Sequence, residues 1–125
     1  MVSKLFEMVS SMEIPEPIRA DLEKIGGIKG LIKKLPKVKK IDDTSKVFQG
    51  LSDESRLKIF MIINVHPVCV CVIKNITKMS DSKISYHLSI LKECGLIHGK
   101  QQGSFIIYHP TKRGKEISGL CEKML

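Results

Sequence analysis

Hydrophobic residues in this chain fall mostly at helical spacing. Val2, Leu5, Phe6, Val9 and Met12 recur at i, i+3, i+4, i+7 and i+10, the stripe of an amphipathic helix. Pro15 and Pro17 interrupt it, and Pro17 suits the first turn of a new helix carrying Ile18, Leu22 and Ile25. Gly26 and Gly27 end or kink that helix. Ile28, Leu31, Ile32 and Leu35 carry a further stripe to Pro36, and the basic run "KKLPKVKK" follows as a linker. Val47, Phe48 and Leu51 then mark a helix, and Leu57, Phe60, Met61 and Ile63 mark the next. Ser52 is placed to cap that second helix, with Asp53 and Glu54 in its first turn. The segment from Asn64 to Met79, "NVHPVCVCVIKNITKM", breaks the pattern. Its density of Val and Ile favours a strand. A last stripe, Ile117, Leu120, Cys121 and Met124, predicts a C-terminal helix.

The stretch "SDSKISYHLSILKECG", from Ser80 to Gly95, is the most informative. Ser80 or Ser82 can cap its first turn, and Asp81 suits the positive end of a helix. Ile84, Leu88 and Leu91 share one face, and Gly95 stops the helix. Lys83, Ser85, Tyr86 and Ser89 lie mainly off that face, with no carboxylate among them. Such an outer face suits a DNA major groove, where hydroxyls and lysines meet phosphates or base edges. Periodicity alone favours an ordinary amphipathic helix with a solvated face. The following "GLIHGKQQGSFIIYHP" changes that balance. Leu96 and Ile97 read as one strand, residues 100–104 as a polar tip, and Phe105 to Tyr108 as a second strand ended by Pro110. A helix followed at once by a hairpin is the layout of a winged helix.

From Thr44 to Thr111 the chain resembles the ArsR-type bacterial and archaeal repressors. The likeness rests on "LSDESRLKIF", "VCVCVI", "MSDSKISYHLSILKECGLI" and "GSFIIYH", in that order and spacing. It covers roughly half of the chain. It implies a mainly α fold with a small β-hairpin wing, a dimeric winged helix-turn-helix. On this reading residues 1–40 are a helical N-terminal arm and basic linker for dimerisation or packing. Residues 41–125 are a winged-helix DNA-binding domain with a C-terminal dimerisation helix. The resemblance also turns the segment after Cys69 into the first helix of the helix-turn-helix, against its strand propensity, with the turn at Lys78 to Asp81. It makes Arg56 a structural salt-bridge partner. The DNA-binding residues implied are Ser80, Ser82, Lys83, Ser85, Tyr86 and His87 on the recognition helix and Lys100, Gln101 and Gln102 on the wing. His87 can equally be a core residue.

Composition agrees with this expectation. The chain has 125 residues, enough for one domain with a modest core, and its formal net charge is +8. A basic balance favours a polyanionic partner, here double-stranded DNA bound at an operator palindrome by a homodimer. There is no apolar run long enough to span a membrane and no signal-peptide pattern, which implies a cytoplasmic protein. Catalysis finds no support. The chain lacks a nucleophile elbow, a phosphate-cradling Gly loop and a His-Glu-x-x-His zinc pattern.

Cys69 and Cys71 are the candidates for effector chemistry. In a reducing compartment the four cysteines are expected as thiols or ligands. Thiolates suit soft ions such as arsenite, zinc or cadmium, and a helix N-terminus favours the thiolate. The pair resembles the metalloid site of ArsR-type proteins, with two departures. Lys74 stands where a third Cys is common, and Val68 and Val72 stand where acidic residues flank the pair. Residues i and i+2 also face apart on a regular helix, so one ion can take both sulfurs only if the segment starts extended, as Pro67 would favour. His66 or the other protomer would supply a third donor. No cofactor is required by this reading. A regulator without a metal that is controlled by thiol redox or a protein partner, a pair of buried thiols, and a winged-helix module that binds protein are the alternatives. The last would need exposed apolar anchors beside the Lys83, Ser85 and Tyr86 face and the wing tip, and none is expected there. His98 and His109 show no partner pattern.

Overall fold

The computed structural model describes residues 13–125, so the expected stripe from Val2 to Met12 lies outside the described residues. Seven helices and one hairpin follow: α1 Glu16–Glu23, α2 Gly27–Lys34, α3 Val38–Leu51, α4 Glu54–Val65, α5 Val70–Thr77, α6 Asp81–Glu93, β1 Ile97–Gln102, β2 Phe105–Pro110 and α7 Lys112–Met124. Two compact units divide at Asp42 and Asp43.

In the first unit, Pro17 sits in the first turn of α1, where its missing N–H costs nothing. Gly26 and Gly27 both take positive φ, which turns the chain between α1 and α2. Leu22, Ile28 and Ile32 are half-buried, and no side chain in either helix is fully buried. The expected linker is shorter than its composition suggested. Val38, Lys39 and Lys40 already belong to α3, because nothing after Pro36 forbids helical backbone there.

In the second unit, a core forms from Ile59, Phe60 and Ile63 of α4, Ile73 of α5, and Ile84, Leu88 and Leu91 of α6. Val47, Leu96, Ile97 and Tyr108 complete it. Burying a side chain of this kind contributes roughly 1.5–3 kcal/mol each. The helical stripes read from sequence in α4 and α6 are therefore the core-facing positions. Asp53, not Ser52, caps α4: its carboxylate accepts the Arg56 N–H at 2.9 Å. That bond holds the Asp53 carboxyl below its usual range. Ser52 instead donates its hydroxyl to the Gln49 carbonyl at 2.8 Å.

The strand and helix expectations for the cysteine segment each hold over part of it. Val68 exchanges backbone hydrogen bonds with Tyr108, adding one bridge to the hairpin. Cys69 is extended, and α5 begins at Val70. Lys78 takes left-handed φ of 61° and turns the chain into α6. At the other end of α6, Gly95 has φ of 72°. Its N–H bonds the Lys92 carbonyl and the Leu96 N–H bonds the Leu91 carbonyl, a Schellman stop that delivers the chain straight into β1. The antiparallel register pairs Gln102 with Phe105, so the turn is Gly103 and Ser104 alone. The polar tip expected over five residues is therefore strand up to Gln102. A two-residue turn opened by a positive-φ Gly matches strand twist. Among the described residues no helix is long and apolar enough to cross a membrane.

Candidate nucleic-acid interface

Helix α6 is held by both of its ends and by its apolar stripe. Ser80 is its N-cap, with its hydroxyl accepting the Lys83 N–H at 3.3 Å. The Ser82 hydroxyl lies 3.3 Å from the Ser80 hydroxyl. Lys74 of α5 and Asp81 of α6 pair at 3.3 Å across the turn, an exposed contact that adds little stability. With Ile84, Leu88 and Leu91 buried, Ser82, Lys83, Ser85 and Tyr86 are left on the solvent side. Tyr86 is 61% exposed, a large area for an aromatic ring with no covering element. Ser89 donates to the Tyr86 carbonyl at 2.7 Å, which binds the hydroxyl to its own helix.

His87 departs from the expected groove face. It is only 8% exposed, and its Nδ1 lies 3.2 Å from Nη1 of Arg56. The guanidinium has no acceptor, so it donates and Nδ1 accepts. Burial is the main cause that pushes the His87 pKa down, and the charges of Arg56 and Lys83 add to it, while Asp53 opposes. Arg56 also donates Nε–H to the Gly50 carbonyl. Arg56 is thus a buried hydrogen-bonding hub between α3, α4 and α6, where a salt-bridge role was expected. Position 87 borders the apolar stripe of Ile84, Leu88 and Leu91 on the helical wheel, next to Leu91, and its ring is turned inward onto Arg56.

On the wing, Lys100, Gln101 and Gln102 are exposed along β1. Gln101 donates its side-chain amide to the Gly103 carbonyl at 2.8 Å. Phe105 and Ile106 are exposed as well. This contradicts the expectation of a wing without apolar anchors: a two-stranded hairpin has no second layer to cover its outer face.

The cysteine pair also departs from expectation. The structure joins Cys69 and Cys71 in a disulfide with Cα atoms 5.4 Å apart, where free thiols were expected. The extended backbone of Cys69 removes the obstacle that a regular helix would pose, so both sulfurs meet at the start of α5. His66 does not join them. Its Nδ1 engages the Pro67 carbonyl at 2.7 Å. Among the described residues no cluster of three or more His, Cys, Asp or Glu is placed to hold a metal ion. The Cys94 thiol lies 3.4 Å from the Lys46 carbonyl, and burial pushes its pKa up.

Two pairs were missed in the sequence. Arg56 with His87 joins residues 31 apart, and no local pattern reveals it. His98 with His109 was legible in principle. A turn at Gly103 and Ser104 sets the register that makes them cross-strand partners.

The family model described as bacterial regulatory protein, arsR family, matches residues 53–98. The arsenical resistance operon repressor of Bacillus subtilis (strain 168) is 33% identical over 79 residues, covering 62% of this chain and 73% of that protein. The cadmium resistance transcriptional regulatory protein CadC homolog of Staphylococcus aureus is 36% identical over 67 residues, covering 53% of this chain. That match spans 55% of the relative's own length, about half. Among solved structures, HlyU from Vibrio cholerae N16961 superposes with a TM-score of 0.65 at 19% identity, covering 70% of this chain and 97% of that one. The homodimeric winged helix-turn-helix DNA-binding domain Mb0332 from Mycobacterium bovis has a TM-score of 0.63 at 22% identity, covering 67% and 79%. At these identities the structural likeness speaks for the fold.

Proposed function

The chain belongs to the arsR family of bacterial regulatory proteins, and on that premise we propose that it is a dimeric winged-helix repressor that occupies operator DNA and leaves it when an effector binds. The observation that carries this reading is the solvent face of α6. Ser82, Lys83, Ser85 and Tyr86 stand free of the core while Ile84, Leu88 and Leu91 fix the helix from behind. Lys100, Gln101 and Gln102 extend the same polar and basic chemistry to the wing, and the net charge of +8 favours a polyanion. His87, being buried, is not part of this surface. Ser80 serves first as the cap of α6 and reaches a phosphate only as a secondary role.

A second protomer completes the reading. Leu120, Met124 and Leu125 on and after α7 are exposed, as is Phe48 on α3. Covering such surface is the ordinary drive for a symmetric dimer, which presents two recognition helices about one DNA turn apart to a palindrome.

For the effector we favour chemistry at Cys69 and Cys71. Similar proteins carry arsenical and cadmium resistance in their names. The reduced pair offers two thiolates at the N-terminus of α5, suited to arsenite, zinc or cadmium. It supplies two donors and no third among the described residues, and we assign the further ligand to the partner protomer or to solution. The bonded sulfurs favour a second reading, release of DNA on oxidation of the same pair. Either mechanism requires that the effector state bind DNA less well.

The test is binding to fragments from upstream of the protein's own gene across a salt series. Affinity should fall linearly on a log–log plot as phosphate contacts release counterions. A flat response, or no binding at low salt, would remove DNA as the partner.

A further inference from the structure

The chain has four histidines, and their ring nitrogens are committed differently. His66 engages the Pro67 carbonyl through Nδ1, and His87 accepts from Arg56. His98 and His109 have no hydrogen bond to their rings among the described residues. They are cross-strand partners in the hairpin, with ring centroids 5.3 Å apart and planes inclined by only 10°. Their outer face is open to solvent: His98 is exposed and His109 half-buried. The register places both side chains on the face opposite Ile97 and Tyr108, which point into the core.

We propose that His98 and His109 form a two-imidazole site for a divalent first-row transition ion, Ni2+, Cu2+ or Zn2+, at the base of the wing. Neutral imidazole is a common ligand for these ions. Strand pairing fixes the two backbones, so little of the chelating geometry has to be ordered on binding. A tetrahedral ion with bonds of about 2.0–2.1 Å needs the two nitrogens about 3.3 Å apart. Parallel rings at the observed separation reach this by tilting about χ2, whose wells are broad in His. With no third protein donor among the described residues, water fills the other positions, and the site stays open. An ion held there would clamp β1 to β2 where the wing leaves the core. The proposal uses neither Cys69 nor Cys71 and does not depend on the repressor reading.

The test is calorimetric titration of NiCl2 into the untagged, full-length Cys69→Ser, Cys71→Ser protein, which removes the thiol pair as a competing ligand. Ni2+ is chosen because thiols do not reduce it. Saturable binding of one Ni2+ per protomer is expected. Disturbing even an outer-shell partner of a metal ligand costs roughly 10–100-fold, so His98→Gln and His109→Gln should each weaken binding by about tenfold or more. His66→Gln should leave it unchanged. Circular dichroism checks that each variant folds; should one fail, the other carries the same comparison. Absence of saturable binding, or binding untouched by both wing variants, overturns the site.

Discussion

Tyr86 and His87 are neighbours in sequence with opposite environments, and replacing His87 by Ala tests that assignment. The substitution deletes an acceptor of the Arg56 guanidinium, leaving a buried charge with the Gly50 carbonyl as its remaining hydrogen-bond partner among the described residues. A hydrogen bond to a charged group contributes roughly 1.5–3 kcal/mol. The side chain is only 8% exposed, so its removal also leaves a gap in the packing. Together the loss should be about 2–4 kcal/mol. With a urea m-value of about 2 kcal/mol/M, the middle of the usual range, the unfolding midpoint should fall by about 1–2 M. The assay is urea unfolding followed by circular dichroism at one fixed protein concentration, because dimerisation would shift the midpoint by mass action. DNA affinity of the folded variant at zero urea should stay near that of the parent. An unchanged midpoint together with lost DNA affinity would refute the reasoning and return His87 to the groove.

The same residue sets a pH dependence. Its folded pKa lies below the ordinary 6.5, so the unfolded chain takes up the proton first as pH falls. The contribution of His87 is therefore present above about pH 6.5 and lost as pH drops through the lower folded value. Stability measured across this range should decline toward acid in the parent and less steeply in His87→Ala; equal slopes would contradict it. For the cysteine pair, titrating arsenite, zinc and cadmium into the reduced protein–DNA complex should release DNA, with coupling of roughly 1–3 kcal/mol, and Cys69→Ser, Cys71→Ser should not respond. Identical release by both proteins would remove the pair as effector site.

The fold was legible where periodicity and end signals agreed. In α6 the stripe, the Ser80 cap and the Gly95 stop all pointed to one helix, and the structure has it. The cysteine segment was ambiguous because β-branched residues serve two roles in succession. Val68 makes a sheet bridge and Val70 starts a helix. Composition overstated the linker, since lysines after Pro36 are as compatible with a first helical turn as with a tether. Within the site, faces could be read and exceptions could not. Position 87 borders the apolar stripe, and only the distant Arg56 makes a polar ring welcome there. The histidine pair of the wing was hidden by one error of turn length, which erased the register.

If the solvent face of α6 reads DNA, Tyr86→Ala removes its largest exposed side chain. The ring is 61% exposed, so its removal should leave the unfolding midpoint unchanged. If Tyr86 contacts a base edge, affinity for the operator should fall by roughly 1–3 kcal/mol, with the salt slope preserved because no phosphate contact is lost. Measured by fluorescence anisotropy on operator and unrelated DNA, the loss should be confined to the operator. A variant that binds the operator as the parent does, or that unfolds instead, would contradict the account.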